Sequence, residues 1–211
     1  RHAHFEHLAT DHFALRCQQT IDLVDRFYDE VDRVSGKQTA TIVEKFAPTE
    51  LRLACTHLWP GTRVVIMVRD PRDVAISQDS FNHKRGFEGF GLDGLKIVER
   101  TIAVARSQIH SIHEADRTPG AVVVRYEDLV SGSPTALQQA LRQLGLDADD
   151  HLVDLMAEAP RSDKQLRARH MTARSEARSV GRWRRSLSAG DCGVLEREAS
   201  ELFAELGYGA S

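Results

Sequence analysis

The sequence predicts an α/β fold in which helices flank a layered parallel sheet. Two short apolar segments, Arg63–Val68 and Ala121–Val124, have the composition of strands that are covered on both faces. Segments with helical periodicity separate them, and strands that alternate with helices pair in parallel within one sheet. In such sheets ligands bind beyond the carboxyl ends of the strands, so the polar residues that follow each strand are the candidate site.

Length and composition indicate one soluble domain over residues 1–211. Of the 211 residues, 41% are apolar and 28% are charged, as in ordinary globular proteins. The apolar runs are far shorter than the roughly 20 residues of a membrane-spanning helix, and no signal segment opens the chain. The cysteines, which form no Cys-x-x-Cys pair, are Cys17, Cys55 and Cys192. We therefore expect a cytoplasmic protein with unreactive, partly buried thiols and no zinc ribbon.

The net charge of −3 is unevenly distributed along the chain. Residues 161–185 contain nine basic and two acidic residues, so this stretch carries +7 on an acidic remainder. A basic block on an acidic body favours an anionic ligand, although a solvated basic loop is the open alternative. Nucleic acid is not expected as a partner, because Trp183 is the one aromatic residue in this stretch that could stack on a base.

The first third of the chain is expected to form two helices around one strand. Apolar residues recur at three- and four-residue steps over 11–34, which predicts a helix that ends at Ser35-Gly36. The β-branched run Thr39–Val43 predicts a strand. A short helix is expected over Thr49–Leu58, stopped by Pro60-Gly61.

A helix is expected to begin immediately after the first apolar strand. Asp70 supplies an N-cap and Pro71 suits the first helical position, and a loop over 86–94 follows. Residues 161–185 have weak periodicity and are interpreted mostly as loop. Further helices are expected at about 95–115, 134–144, 149–158 and 188–206.

Arg69 and Ser77 form the first candidate for a binding site. Arg69 follows the strand, and Ser77 lies in the second turn of the helix that starts near Pro71. A guanidinium and a hydroxyl around a helix start can hold a phosphate dianion by charge-assisted hydrogen bonds. The alternative is a structural salt bridge between Arg69 and Asp70, with Ser77 facing solvent.

Several segments together resemble the cytosolic and bacterial sulfotransferase family. The Arg-Asp-Pro-Arg-Asp-Val-Ala-x-Ser run that ends at Ser77 is similar to the family's stretch for binding a 3′-phosphate. The other matches follow the family's order, and they are Glu44–Pro48, Arg125–Leu129, Gly181–Arg184 and Leu206–Tyr208. The resemblance implies a sulfotransferase fold of the P-loop NTPase-like type.

The resemblance also implies an enzyme and its cofactor. The family transfers a sulfuryl group from 3′-phosphoadenosine 5′-phosphosulfate (PAPS) to a hydroxyl or amine of a small molecule or glycan. The product is adenosine 3′,5′-bisphosphate (PAP), and no metal is expected. The alternative function is a non-catalytic or truncated nucleotide-binding module.

The resemblance assigns roles to individual residues. Arg69 and Ser77 would bind the 3′-phosphate, and Tyr126 would lie near the adenine or ribose. Lys45 would act in catalysis by approaching the bridging oxygen of the phosphosulfate. The residues expected to close over the cofactor are Arg178, Gly181, Arg182 and Trp183. The open alternatives are that Tyr126 packs at a strand end, that Trp183 anchors the core, and that Lys45 pairs with Glu44.

The sequence departs from the family in its phosphosulfate-binding loop. The family's Pro-x-Ser-Gly-Thr-Thr type of loop is absent, and the nearest candidate, Ser35–Thr39, has Val31 in place of the earlier glycine and Gln38 after the lysine. A P-loop kinase is disfavoured for the same reason. We expect that the chain lacks the family's first strand and loop. Either these segments lie upstream in a longer chain, or the domain binds the cofactor weakly or not at all.

Two candidates exist for the base that activates the acceptor. One is Glu44, and the other is a cluster near the amino terminus made of His2, His4, Glu6, His7, Asp11 and His12. The histidine spacing in that cluster fits no standard zinc pattern. The interpretation favoured for the cluster is a frayed end.

Overall fold

The computed structural model describes residues 2–36, 41–45, 49–86, 94–131, 134–146, 148–158, 172 and 177–209, with the backbone alone for 2–10, 49–53, 157 and 158. The chain divides into two units, Arg1–Thr62 and Arg63–Ser211.

The first unit contains two helices, α1 over His2–Ser35 and α2 over Thr49–Leu58. α1 ends where Gly36 adopts a left-handed conformation with φ 66°. The predicted bounds of α2 are confirmed. The helical periodicity predicted for α1 is also confirmed, and the helix begins nine residues earlier than the pattern indicates.

The predicted strand over 39–43 is wrong in the part that the structure describes. Residues 41–45 have no regular secondary structure, and residues 39 and 40 lie outside the described residues. Ile42 and Val43 are 48% and 89% exposed. A β-branched run becomes a strand only where a neighbouring strand and a packed face are available, because β-propensity reflects that packing.

The second unit contains a parallel pair of strands, β1 over Val64–Val68 and β2 over Ala121–Arg125. Their register pairs Val64 with Ala121 and Val68 with Arg125. The crossover between them contains α3 over Pro71–Arg85 and α4 over Ile97–Asp116. The predicted α/β class and the parallel pairing are therefore confirmed.

Helices cover the two faces of this sheet unequally. The side chains of Val64, Ile66 and Val68 pack against α4 around Ala115, whereas Val122 and Val124 point to the opposite face. Val65 and Met67 share that opposite face and are 50% and 55% exposed. The expectation that both faces are covered is therefore wrong for β1 within the described residues.

The remaining elements complete the layer around the sheet. They are α5 over Tyr126–Val130, α6 over Pro134–Gln143, α7 over Asp150–Glu158, a 3-10 turn over Ala177–Ser179, α8 over Trp183–Ser186 and α9 over Ala189–Glu205. The α9 side chains Leu195, Ala199 and Phe203 form a buried cluster with Ala105 of α4. This cluster holds the end of the chain against the crossover.

The start of α3 follows the predicted capping pattern. The Asp70 side chain accepts a hydrogen bond from the backbone N–H of Arg72 at 3.0 Å, and Pro71 occupies the first helical position. Arg69 is therefore fixed between the last residue of β1 and the cap of α3. None of the helices in the described ranges is both long and apolar enough to cross a membrane.

Candidate active site at the carboxyl ends of the strands

Arg69 lies at the centre of the polar cluster beyond β1. Its backbone N–H donates to Gln108 Oε1 at 3.0 Å, and its Nη2 donates to the carbonyl oxygen of Ser179 at 2.6 Å. The guanidinium carbon lies 4.3 Å from the centre of the Tyr126 ring. The Nε–H of Arg69 is buried and meets no hydrogen-bond partner among the described residues. The guanidinium is thus held in place with one buried donor still available for an acceptor.

Asp70 pairs with Arg72 and not with Arg69. Arg72 Nε and Nη2 donate to Asp70 Oδ1 and Oδ2 at 2.9 and 2.8 Å, a bidentate ion pair of two buried side chains. Arg72 also donates to the carbonyl oxygen of Gly209 at 3.1 Å. The alternative that Asp70 neutralises Arg69 in a salt bridge is therefore wrong.

Ser77 forms a hydrogen bond with Thr172, which precedes the 3-10 turn in the sequence. Its Oγ lies 3.0 Å from Thr172 Oγ1. Arg182 reaches the same residue, since its Nη1 donates to the carbonyl oxygen of Thr172 at 2.9 Å, and its Nη2 donates to Ser80 Oγ at 2.7 Å. Ser77 is half-buried and faces protein, so the alternative that it faces solvent is wrong.

Tyr126 and Ser179 complete the cluster around Arg69. The Tyr126 hydroxyl and Ser179 Oγ lie 2.9 Å apart. Ser179 is 8% exposed. The two residues come from the start of α5 and from the 3-10 turn, so they join the end of β2 to the late part of the chain.

Asp73 connects α3 to the residues around α8. Its side chain is 1% exposed, and its Oδ2 and Oδ1 accept hydrogen bonds from the backbone N–H groups of Gly181 at 2.6 Å and Trp183 at 2.9 Å. Burial raises the pKa of Asp73 above its usual value, and the two backbone hydrogen bonds oppose that rise in part. Burial of this carboxylate therefore costs free energy, and the two hydrogen bonds offset part of that cost.

Trp183 is 7% exposed, with arginine side chains near its ring. The guanidinium carbons of Arg72 and Arg184 lie 3.8 and 4.5 Å from its ring centre. Its Nε1–H is buried and has no hydrogen-bond partner within the described ranges. Gly181, two residues earlier, has φ +65°, and a Cβ there would lie 2.9 Å from Arg184 Nη1. A side chain at position 181 would therefore be strained by the left-handed backbone conformation, and the end of the Arg184 side chain would have to shift.

A second network attaches the end of the chain to the strand ends. Glu127 Oε1 accepts from the backbone N–H of Asp70, and its Oε2 accepts from the Tyr208 hydroxyl, both at 2.9 Å. Burial and the neighbouring Glu127 carboxylate raise the pKa of Tyr208. Arg125 Nη2 donates to the carbonyl oxygen of Leu206 at 2.6 Å. The segments that contain the predicted site residues are thus mutually braced.

The structure brings together most of the predicted site residues of the second unit. Arg69 and Tyr126 stack, Ser77 and Arg182 share Thr172, and Gly181 and Trp183 share Asp73. Arg178 lies exposed on the 3-10 turn. Much of the basic stretch, at 161–171 and 173–176, lies outside the described residues.

Lys45, the predicted catalytic residue, belongs to the first unit. It is exposed within the irregular segment 41–45, and its role stays a prediction. Glu44 accepts a hydrogen bond from the Tyr28 hydroxyl. The side chains of residues 1–10 lie outside the described residues, and so does most of the amino-terminal histidine cluster.

Four residues of the cluster were not identified from sequence patterns. They are Asp73, Gln108, Thr172 and Ser179. Asp73 lies in the first turn of α3, where an acidic residue is a common feature of helices. Their contacts join positions far apart in the chain, and no local pattern signals such contacts.

Comparison with known proteins agrees with the motif analysis. A profile of the Sulfotransferase family matches residues 3–150. Carbohydrate sulfotransferase 1 of Mus musculus is 25% identical over 158 residues, which cover 69% of this chain and 38% of that protein. The chain therefore spans less than half of that relative. The crystal structure of mouse sulfotransferase SULT7A1 complexed with PAP aligns with a TM-score of 0.49 and 12% identity, covering 74% of this chain and 65% of that one.

Proposed function

The chain belongs to the sulfotransferase family, and on that premise we propose that it transfers a sulfuryl group from PAPS to a hydroxyl of a carbohydrate or another small acceptor. The observation that supports nucleotide binding most directly is the buried Nε–H of Arg69 at the carboxyl end of β1, which has no hydrogen-bond partner in the part of the chain that the structure describes. A carbohydrate is the first acceptor to test because the matched relative is named a carbohydrate sulfotransferase.

The cluster around Arg69 has the chemistry that a 3′-phosphate requires. A guanidinium offers five N–H donors in a planar fork and stays charged, so it can donate to a phosphate while another of its N–H groups bonds to protein. Arg69 Nη2 is occupied by the carbonyl oxygen of Ser179, and no acceptor for Nε lies among the residues that the structure describes. A phosphate oxygen would satisfy this donor by a charge-assisted hydrogen bond.

Ser77 and Tyr126 are the proposed partners of Arg69 in nucleotide binding. The Ser77 hydroxyl exchanges a hydrogen bond with Thr172, and a hydroxyl can both donate and accept. We assign it to the 3′-phosphate together with Arg69. Tyr126 supports the guanidinium from below and is assigned to the ribose or adenine.

The late segment, residues 177–186, supplies the remaining proposed contacts. Arg178 is exposed on the 3-10 turn, and Arg182 is half-buried beside Ser80 and Thr172. We assign both arginines, with the backbone at Gly181 and the ring of Trp183, to closure over the nucleotide. Cations at these positions would counter the charge of the phosphates.

PAPS, when bound, would supply the sulfuryl group. The contribution of the protein is to position the reacting groups and to place positive charge where negative charge develops. We assign the latter role to the ammonium group of Lys45. Sulfuryl transfer resembles phosphoryl transfer in requiring little covalent chemistry from the protein.

The proposal is tested with the full chain in two assays. Calorimetry measures PAP binding, and transfer of labelled sulfate from PAPS is measured on a panel of carbohydrates, alcohols and phenols. Lys45→Ala should abolish most transfer and leave PAP binding within about threefold, because its proposed role is in the transition state. Arg117→Ala, which removes an exposed arginine paired with Glu114, is the charge-matched control and should change neither result.

The two assays also separate the proposal from a nucleotide-binding module without transferase activity. Binding of PAP together with transfer supports the proposed enzyme. Binding without transfer to any acceptor favours the module, which uses the same cluster around Arg69. Absence of both results would contradict both functions.

A further inference from the structure

We propose that Asp73 is a positioning residue that fixes the late segment across the carboxyl end of β1 and thereby prepares the anion site at Arg69. The inference rests on the proposed function for its ligand. Both oxygens of the buried Asp73 carboxylate accept hydrogen bonds from this one segment, from Gly181 and from Trp183.

The two hydrogen bonds of Asp73 restrain the late segment at alternate residues. Each carboxylate oxygen serves a different backbone N–H, at 2.6 and 2.9 Å. An isosteric amide could accept from only one of them, because its NH₂ group would face the other N–H as a second donor. The arrangement therefore requires a carboxylate and not simply a polar residue of that size.

Asp73 holds the late segment between two residues that contact the candidate site, Ser179 and Arg182. On one side, the carbonyl oxygen of Ser179 holds Arg69 Nη2 at 2.6 Å, and Ser179 Oγ contacts Tyr126. On the other side, Arg182 spans Ser80 and Thr172. Because Gly181 links Ser179 to Arg182, its restraint by Asp73 sets the position of both.

This arrangement has a direct consequence for Arg69. A guanidinium whose orientation is fixed before binding loses less side-chain entropy when it takes up an anion. The Ser179 carbonyl and the Tyr126 ring provide that orientation. Release of the late segment would remove the carbonyl contact, and the Nε–H of Arg69 would no longer be held toward one acceptor position.

The test follows the late segment and ligand binding separately. Trp59 and Trp183 are the two tryptophans of the chain, so a Trp59→Phe background reports Trp183 alone. In that background we expect Asp73→Asn to shift Trp183 emission to longer wavelength, as water reaches a ring that is buried in the parent. Trypsin should cleave after Arg182, Arg184 or Arg185 at least several-fold faster, while far-UV circular dichroism stays unchanged.

Binding is measured in the same variants by calorimetry with PAP. We expect Asp73→Asn to weaken PAP binding about tenfold, which corresponds to about 1.4 kcal/mol. Asp73→Glu keeps the charge on a longer side chain and serves as the second variant, with a smaller effect expected in both measurements. Asp154→Asn, the same substitution at an exposed position of α7, should change neither Trp183 emission nor PAP binding.

The outcomes distinguish this inference from the proposed function. If the parent binds PAP and Asp73→Asn binds it equally well, or more tightly, the positioning role is wrong. An unchanged Trp183 emission and unchanged trypsin cleavage would overturn it as well. If the parent does not bind PAP but Asp73→Asn still releases the late segment, the anchoring by Asp73 stands and the proposed ligand is wrong.

Discussion

Arg69 Nη2 donates a 2.6 Å hydrogen bond to the carbonyl oxygen of Ser179, a residue 110 positions later in the chain. This contact places the end of β1 against the 3-10 turn, where Tyr126 also meets Ser179. The cluster is thus assembled from three distant parts of the sequence. Within the described ranges no acceptor meets the buried Nε–H of Arg69, and this supports the proposed anion site.

Ser77→Ala should weaken PAP binding by about tenfold or more, because a hydrogen bond to a charged group contributes about 1.5–3 kcal/mol. Binding of adenosine 5′-monophosphate, which lacks the 3′-phosphate, should change little. Calorimetry with the two nucleotides measures both effects. Ser131→Ala removes an exposed hydroxyl that bonds within its own turn, and equal losses in both variants would contradict the assignment of Ser77.

Tyr126→Phe should lower the free energy of unfolding by about 1 kcal/mol, because it removes one hydrogen bond of the buried Ser179 hydroxyl. The ring beneath Arg69 would remain. Tyr126→Leu removes that ring as well, and a cation–π contact contributes about 0.5–2 kcal/mol. Urea unfolding of the two variants measures the difference, and equal stabilities would show that the stacking on Arg69 contributes nothing.

Arg72→Lys should lower the free energy of unfolding by about 2–3 kcal/mol. A lysine cannot form the bidentate pair with Asp70 or stack on Trp183 as the planar guanidinium does, and breaking a buried ion pair is costly. Chemical unfolding measures the loss. Arg117→Lys, at an exposed ion pair, should change stability by no more than about 0.5 kcal/mol, and a similar small change in Arg72→Lys would be inconsistent with this packing.

Asp73 should give the protein a stability that falls with rising pH. Its pKa is raised in the folded state from an ordinary value of 3.8, so above pH 3.8 the folded state binds more protons at this group than the unfolded state does. The free energy of unfolding therefore decreases as pH rises from about 3.8 through the raised pKa, and it does not recover above that pKa.

The comparison with Asp73→Asn isolates this contribution. The stability of the parent minus that of the variant should be largest at the acidic end of this range and should decline as the pH rises. Urea unfolding at several pH values measures the difference. A difference that grows with pH would mean that the ionised carboxylate stabilises the fold overall.

Sequence patterns predicted those parts of the fold that depend only on residues close together in the chain. The cap at Asp70, the proline that follows it and the apolar run before it fix the end of β1 and the start of α3 within four residues, so both were predicted. The segment at 39–43 satisfied strand propensity equally well, yet its described residues are not a strand. Strand formation depends on a partner that propensity does not reveal.

The candidate site was predictable in part for the same reason. Motifs that follow the strands made Arg69, Ser77 and Tyr126 candidates, and the structure places Arg69 against the Tyr126 ring. The contacts of Asp73 with Gly181 and of Ser179 with Arg69 were not predictable, because they span 108 and 110 positions of the chain. The pairing of Asp70 with Arg72 was also not predictable, since Asp70 directly follows Arg69 in the sequence.

The most direct test measures how Arg69 and the 3′-phosphate depend on each other. PAP and adenosine 5′-monophosphate are titrated into the parent chain and into Arg69→Ala, and the ratio of their affinities is compared. We expect the parent to prefer PAP by at least about tenfold and Arg69→Ala to lose that preference, because the charge-assisted hydrogen bonds to the 3′-phosphate are gone. An Arg69→Ala variant that keeps the parent's preference for PAP would contradict the central claim.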